Sequence, residues 1–257
     1  MVSRKIVFGF LAATALGLGG CVTTETATFV ASANQTAMMR DGKAAISSIQ
    51  KNSLALLSRA GREIASGQRV GFVLAIQNRT GKPMDFRVAD VEVMQTMPDG
   101  SEQSIAVLTY DQLRTEERNR QIAQAVLIGL AAGANAAAAA NAGYYRSNST
   151  IYTPRGTYSA TTTGYSPTAA YLAQANASNQ NAQMIDAAVE QGRANMANLE
   201  REYIKDHTLL PGEWYGGSIG MEPPKSDGGD QPKEYRIRVR IGGEAHTFKV
   251  VQRPNQS

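Results

Sequence analysis

The sequence predicts an α+β protein, an antiparallel β-sandwich preceded by a helix and interrupted by a long helical hairpin. Three observations lead there. Two blocks, 67–109 and 211–254, alternate apolar and polar residues with turn residues between the runs. A stretch of helical period, 36–66, precedes the first block. Between the blocks, 110–206 carries two long runs with apolar or small residues at heptad spacing. The chain of 257 residues can form one sizeable domain with an appendage, and aromatics at only 7% beside abundant Ala, Gly, Asn and Ser favour the appendage.

At the N-terminus, Arg4 and Lys5 precede an apolar run from Ile6 to Leu18 that is too short to span a bilayer comfortably. The tetrad Leu18-Gly19-Gly20-Cys21 closes it. Basic head, apolar run, two small residues and cysteine in that order resemble the lipobox of bacterial lipoproteins. The resemblance implies that 1–20 is a signal peptide and that Cys21, freed by cleavage, is acylated on its thiol and its new amino group. Its first partner would then be the lipid bilayer. Val22 stands where the family's inner-membrane retention signal has Asp, which implies the outer membrane, facing the periplasm. A lone cysteine cannot make an internal disulfide, and acylation removes a free thiol from an oxidising compartment. An ordinary signal peptide with Cys21 near its cut site by chance is the alternative. The 26 basic and 22 acidic side chains give a net charge of +4. Losing Arg4 and Lys5 brings this to about +2, which makes no general case for nucleic-acid binding.

Residues 21–35 lack periodicity and read as a lipidated tether. In 36–66, Ile46, Ile49, Leu56, Leu57, Ala60 and Ile64 fall near one helical face, with Gly67 as the stop. The period then drops to two at Val70, Phe72, Leu74 and Ile76, ending in a hairpin bend at Asn78–Pro83. Phe86 and Val88 share one parity but Val91 and Val93 the other, which predicts a bulge or kink near Ala89-Asp90. Pro98-Asp99-Gly100 is the next turn and 104–108 the next strand.

In the second block, 213–221 is a strand with Tyr215, Ile219 and Met221 on one parity, and 223–231 is a polar loop. Tyr235, Ile237, Val239 and Ile241 alternate with charged residues, Gly242-Gly243 turns the chain, and His246, Phe248 and Val250 share the next inward parity. Six short strands with hairpin turns suggest an antiparallel sandwich. The stretch FVLAIQNRTGKPMDFRVADVEVM resembles strand pairs of bacterial immunoglobulin-like lipoprotein domains, which implies an immunoglobulin-like sandwich and carries no catalytic motif.

Within 110–206, Ile122, Val126, Gly129, Gly133, Ala136 and Ala140 are spaced 4, 3, 4, 3, 4. The second run, Ala175, Ser178, Ala182, Ile185, Val189, Gly192, Met196, Leu199 and Tyr203, is spaced 3 and 4 throughout. Both read as coiled-coil seams, and the small-residue seam is expected to pack on the Ala182–Tyr203 seam in an up-and-down helical pair. The alternative for 134–142 is a flexible stretch. The Ser/Thr/Tyr-rich tip, 144–166, reads either as an exposed low-complexity loop or as a β-hairpin of two ten-residue strands around Pro154-Arg155-Gly156.

Sites of chemistry are scarce. His207 and His246 are the only histidines, which leaves no set of three or four nitrogen and sulfur ligands for a metal once Cys21 is acylated. No phosphate-binding or dinucleotide fingerprint occurs, so no cofactor is expected. Asp206 and His207 are chain neighbours, unsuited to a triad, and His207 is expected at a helix C-terminus. His246 is expected as a packed, hydrogen-bonded residue, and Trp214 with Tyr215 as caps of the sandwich. The candidate interaction residues are Tyr144, Tyr145, Tyr152, Tyr158 and Tyr165 on the tip. Arg236, Arg238 and Arg240, off one face of one strand, are either a site for phosphates or an acidic partner, or a solvated face that discourages edge association. The expectation is a non-enzymatic outer-membrane lipoprotein acting as a structural or protein-interaction module, with an envelope protein or a second copy as partner. The alternative is a subunit of an oligomeric secretion channel using the 144–165 hairpin.

Overall fold

Inward-facing side chains from two sets of strands build one core. The computed structural model describes residues 24–40, 42–61, 63–225 and 231–255. The expected signal peptide and Cys21 lie outside the described residues, as does the 226–230 part of the polar loop.

One antiparallel sheet has the order β5 (Ile64–Ala65), β1 (Thr24–Val30), β16 (Glu244–Pro254), β15 (Lys233–Ile241), β8 (Val91–Thr96), β9 (Glu102–Ile105). The other has the order β10 (Val107–Leu108), β14 (Trp214–Met221), β6 (Gly71–Asn78), β4 (Ser53–Arg59), β3 (Lys43–Ile49), β2 (Gln35–Arg40). Two further pairs are β7 (Met84–Phe86) with β13 (His207–Leu209), and β11 (Tyr144–Thr153) with β12 (Gly156–Tyr165). Helices α1 (Tyr110–Asn141) and α2 (Pro167–Glu202) flank that last pair in the chain. Phe72, Leu74 and Ile76 of β6, Tyr235, Ile237 and Val239 of β15, and Phe248 and Val250 of β16 are all buried in the common core. Phe29 of β1 meets Phe72 of the other sheet at 6.1 Å between ring centroids.

The helix expected over 36–66 is instead four strands, β2 to β5, and β1 occupies most of the expected tether. Ala45, Ile46, Ser47 and Ser48 are buried in succession on β3, so both faces of that strand are covered and its sequence shows no alternation. On β4 the inward positions are Ser53, Ala55 and Leu57, two of them too small or polar to mark a period of two.

The turn at 78–83 forms, but not as a hairpin. The buried Asn78 side chain donates to the carbonyls of Lys82 (2.7 Å) and Leu209 (3.1 Å) and accepts from Thr80. The chain beyond it pairs with β13, not with β6. The kink expected near Ala89-Asp90 is there, as a 3₁₀ turn, Val88–Asp90, and not as a bulge; it hands the chain from β7 to β8 in another sheet and so changes the parity after Phe86. The expected 104–108 strand likewise splits at Ala106 into β9 and β10 of different sheets. Gly242 and Gly243 do form a two-residue hairpin, both with positive φ (55° and 83°), as a tight turn between twisted strands requires.

Two polar clusters sit inside the core. Lys233 Nζ lies 2.6 Å from Glu25 Oε1, and both side chains are almost wholly buried. Ser66 and Gln252 also donate to Glu25. Burial pushes the Glu25 carboxyl up, but the bonds from Lys233, Ser66 and Gln252 overcome it and hold it below its ordinary value. The neighbouring Tyr235 hydroxyl has no hydrogen-bond partner among the described residues, and burial raises its pKa strongly.

The second cluster joins the sheets. His246, fully buried as expected from its parity, has Nε2 2.8 Å from Ser53 Oγ and Nδ1 2.9 Å from Ser48 Oγ. Ser53 donates its one hydroxyl proton to Glu244 at 2.5 Å. It must therefore accept from His246, which puts a ring proton on Nε2. Burial lowers the His246 pKa, against opposing pulls from Glu244 and from the Ser48 backbone. In the unfolded chain the ring takes up a proton near pH 6.5. Below that pH the unfolded state binds more protons than the folded one, so stability is full above about pH 6.5 and falls as pH falls. Urea unfolding at pH 7.5 and 5.5 should show a loss approaching about 1 kcal/mol in the wild type. The loss should be clearly smaller in His246→Gln, and an equal loss in both would assign the pH dependence elsewhere.

Candidate interaction arm

The insertion 110–206 forms one arm, and both of its ends are tied to β14. β10 pairs with β14 through Leu108 and Gly220, and directly afterwards Thr109 caps α1. The Thr109 hydroxyl accepts from the Gln112 amide while the Gln112 side chain accepts from Thr109 N, a reciprocal capping box. On return, Tyr203 ends α2 and bridges to Ser218, and the Ile204 amide donates to the Ser218 carbonyl at 3.0 Å. Gly217 permits this contact, because a Cβ there would sit 2.7 Å from Ile204 N and 2.9 Å from the Glu202 carbonyl oxygen. A two-point ion pair, Arg69 to Glu116 at 2.7 and 2.9 Å, braces the base of α1 against the chain entering β6. Lys205 places its ammonium 4.4 Å above the Tyr110 ring.

The helices pair as expected, but through other residues. Leu113, Glu117 and Ala139 of α1 and Ala177 and Gly192 of α2 are buried, with Ile128, Ala132, Asn135, Asn181, Met184 and Ala188 partly so. Amides hold the register. Gln121 donates to the Gly192 carbonyl (3.2 Å), Asn195 to Glu117 (3.1 Å) and Asn135 to Asn181 (2.9 Å). Burial pushes the Glu117 carboxyl up, but bonds from Gln121, Asn195 and Arg120 outweigh it and hold the pKa low. The α1 seam expected from the sequence lies beside the contact with α2, not in it. Ile122 is 64% and Val126 59% exposed, and an added Cβ on Gly129 or Gly133 would meet nothing within 4 Å. On α2 the expected seam holds only at its C-terminal end, where Gly192, Met196 and Leu199 face α1. The reason is the phase. Ile128, Ala132, Asn135 and Ala139 of α1 and Asn181, Met184 and Ala188 of α2 keep the expected spacings of 3 and 4 but stand one residue before Gly129, Gly133, Ala136 and Ala140 and before Ala182, Ile185 and Val189.

The tip is the hairpin reading, not the loop. β11 and β12 pair along all ten residues, from Tyr144↔Tyr165 to Thr153↔Gly156. At the neck, Ser166 N donates to the Gly143 carbonyl (2.7 Å), the Tyr144 and Tyr165 rings pack at 5.0 Å, and Tyr145 lies over Gly164, where a Cβ would be 2.5 Å from its hydroxyl. The five candidate tyrosines therefore fall into two groups, with Tyr144, Tyr145 and Tyr165 at the neck and Tyr152 and Tyr158 near the turn. All are exposed.

The remaining candidates lie on the sheets. Arg236 pairs with Glu102, Arg240 with Glu92 at 2.7 Å and Arg238 with Glu92 at 3.8 Å, so the arginines are matched by carboxylates on β8 and β9. His207 lies on β13, not at a helix end, stacked on Tyr215 at 4.1 Å and 3.1 Å from Glu213. Tyr215 packs against the core, whereas Trp214 is half exposed and does not cap it. Ser53 beside His246 has the makings of a nucleophile and base, but Ser53 is fully buried. Among the described residues no cluster of His, Cys, Asp or Glu is suited to a metal ion. A cavity of ≈ 400 Å³ at the arm's base is lined by Arg69, Arg120, Glu116, Glu117 and Glu202, which largely neutralise one another. Comparison with protein-family models, with curated proteins and with solved structures finds no match to this chain.

Because the arm's ties to the sheets lie at its root, replacing 123–195 by a short turn should leave the sheets folded. The urea-unfolding free energy should stay within about 1 kcal/mol of wild type. Gly217→Val should lower it by about 2 kcal/mol or more by forcing Ile204 off β14.

Proposed function

We propose that this is a non-enzymatic lipoprotein of the bacterial outer membrane, held by acylated Cys21 and facing the periplasm, whose arm joins it to another envelope component. The observation that carries this reading is an ordered arm with large unpartnered apolar side chains. Ile122, Val126, Leu127 and Leu130 on α1 and Tyr171 and Leu172 on α2 are all more than half exposed. Such a surface is characteristic of a protein or membrane contact. α1 is by length and composition apolar enough to cross a membrane.

In this reading the two sheets are an immunoglobulin-like sandwich with added strands, and they act as a platform. β1 begins at Thr24, so three residue steps, at most about 11 Å, separate Cys21 from the sheet. The platform is held close against the bilayer, and the arm supplies the reach. Arg236, Arg238 and Arg240, already paired with carboxylates, serve as a solvated face.

A second reading, a subunit of an oligomeric channel, draws on the tip. Its strands are each ten residues long, the length that spans a bilayer in a barrel, and among the described residues both outer edges of the hairpin lack a neighbouring strand.

Cys21→Ser, or inhibition of the lipoprotein peptidase, should leave an unprocessed precursor of altered mobility; unchanged mobility and membrane binding would remove the anchor. Crosslinking in intact cells from position 152 should capture an envelope protein. Steady conductance of the detergent-purified protein in planar bilayers would favour the channel instead.

A further inference from the structure

The α1 seam and the part of the α2 seam from Ser178 to Val189, which the intrachain pair leaves exposed, lie on one face of the arm. Gly129 of α1 and Ile185 and Val189 of α2 line a single groove of ≈ 630 Å³ between the helices. Ile122 and Val126 continue the α1 seam, and Ala182 and Ser178 the α2 seam, all exposed. The opposite face of α2 is amide-rich, with Asn176, Gln180, Gln183, Gln191 and Asn198 exposed to solvent.

The glycines sharpen the point. Gly217, Gly143, Gly164 and Gly192 each have a neighbour where their Cβ would be, whereas Gly129 and Gly133 have none. Glycine inside a helix is worse than alanine by about 1 kcal/mol at each position. Among the described residues no close neighbour offsets that loss, and the close approach of another helix backbone would.

We infer that this face docks on the same face of a second copy of the chain, making a four-helix bundle about a two-fold axis along the arm. The inference rests on reading the arm as an assembly element. Register argues for a second copy over any other occupant. Gln121 contacts Gly192 and Asn135 contacts Asn181, so Gly129 is level with Ile185 and Val126 with Val189. A two-fold axis along the arm keeps levels and exchanges helices. It therefore sets Gly129 against the partner's Ile185, Gly133 against the partner's Ala182 and Val126 against the partner's Val189. Glycine receives the branched side chain, and valine meets valine. Both seams keep heptad spacing, which suits helices packing on helices. The face measures roughly 30 by 20 Å, which buries about 1,200 Å² over two copies, the lower bound for a specific interface. Two lipid anchors in one membrane raise the effective concentration further.

The test uses the full-length protein in its own membrane, with a photo-reactive phenylalanine placed singly at 126, 189, 183 or 191. Covalent homodimer from 126 and 189, at least tenfold above that from 183 and 191, bears the inference out. Monomer at all four sites, lipid adducts at 126, or equal dimer from both faces overturns it. Capture of a different protein at 126 also overturns self-docking but leaves the arm's assembly role standing. Silence there and at 152 together removes both. As a second check, Val126→Glu with Val189→Glu should lower homodimer captured from a probe at 122 at least tenfold. The helical circular dichroism of the variant should be unchanged, since both side chains are solvent-exposed in the single chain; undiminished homodimer in that variant overturns the inference.

Discussion

The contact on which the arrangement depends is the seat of Ile204 and Tyr203 against β14. An insertion of nearly a hundred residues between two strands would separate them unless its ends met again on the same sheet. Here they meet on one strand, with Leu108 opposite Gly220 at departure and Tyr203 opposite Ser218 on return. Loop-closure entropy grows only slowly with length, so once the ends are fixed the arm's length adds little to the cost. The fixing itself is steric. β14 carries Gly216 and Gly217 side by side, and a Cβ on Gly216 would stand 2.6 Å from the Leu74 carbonyl oxygen, as one on Gly217 would meet Ile204. Strand interiors disfavour glycine, and close backbone approach explains the pair.

The polar groups inside the core work toward the same end by selecting geometry. A buried ion pair contributes little net stability compared with well-packed apolar side chains, but breaking one is severe. Glu25 with Lys233, Ser66 and Gln252 therefore ties β1 to β15, β16 and the segment after β5 in one register. His246 with Ser48 and Ser53 does the same between the two sheets. The sheet that contains β1 and the sheet that bears the arm are thus connected through hydrogen bonds whose directions admit few alternatives.

Sequence periodicity revealed those parts of the fold where large apolar residues alternate with polar ones. Phe72, Leu74 and Ile76, the run from Tyr235 to Ile241, and the Gly242-Gly243 turn could all be read directly. It failed where inward positions are small or where both faces are covered. β3 and β4 turn at Gln50–Asn52 without Gly or Pro, and Ala45, Ser47, Ser53 and Ala55 occupy core positions that carry no hydrophobic signal. The apolar residues left visible, Ile46, Ile49, Leu56 and Leu57, imitate a helical face. Strand-like alternation also said nothing of partner choice, so the turn after Asn78 read as a hairpin although β7 pairs across the chain with β13. Of the candidate residues, the tip tyrosines lie on the hairpin that the sequence allowed, and the arginine array is engaged by carboxylates.

The arm holds two adjacent faces of the same spacing in the same helices, and that explains both why its seams misled and what they signify. Residues one position apart point about 100° apart on a helix, so a contact set and a seam displaced by one residue run side by side along it. The contact set carries the polar specificity of the intrachain pair, Glu117, Gln121, Asn135 and Asn181, which are poor hydrophobic markers. The neighbouring set carries Ile122, Val126, Ile185 and Val189, which dominate any hydrophobic reading and yet stand in solvent. A helix apolar on all sides belongs in an interior. Between Ile122 and Ala140, α1 has only Gln124 and Asn135 as polar residues, while α2 covers one side of it. The amide set therefore accounts for the pairing within the single chain, and the aliphatic set is left exposed beside it.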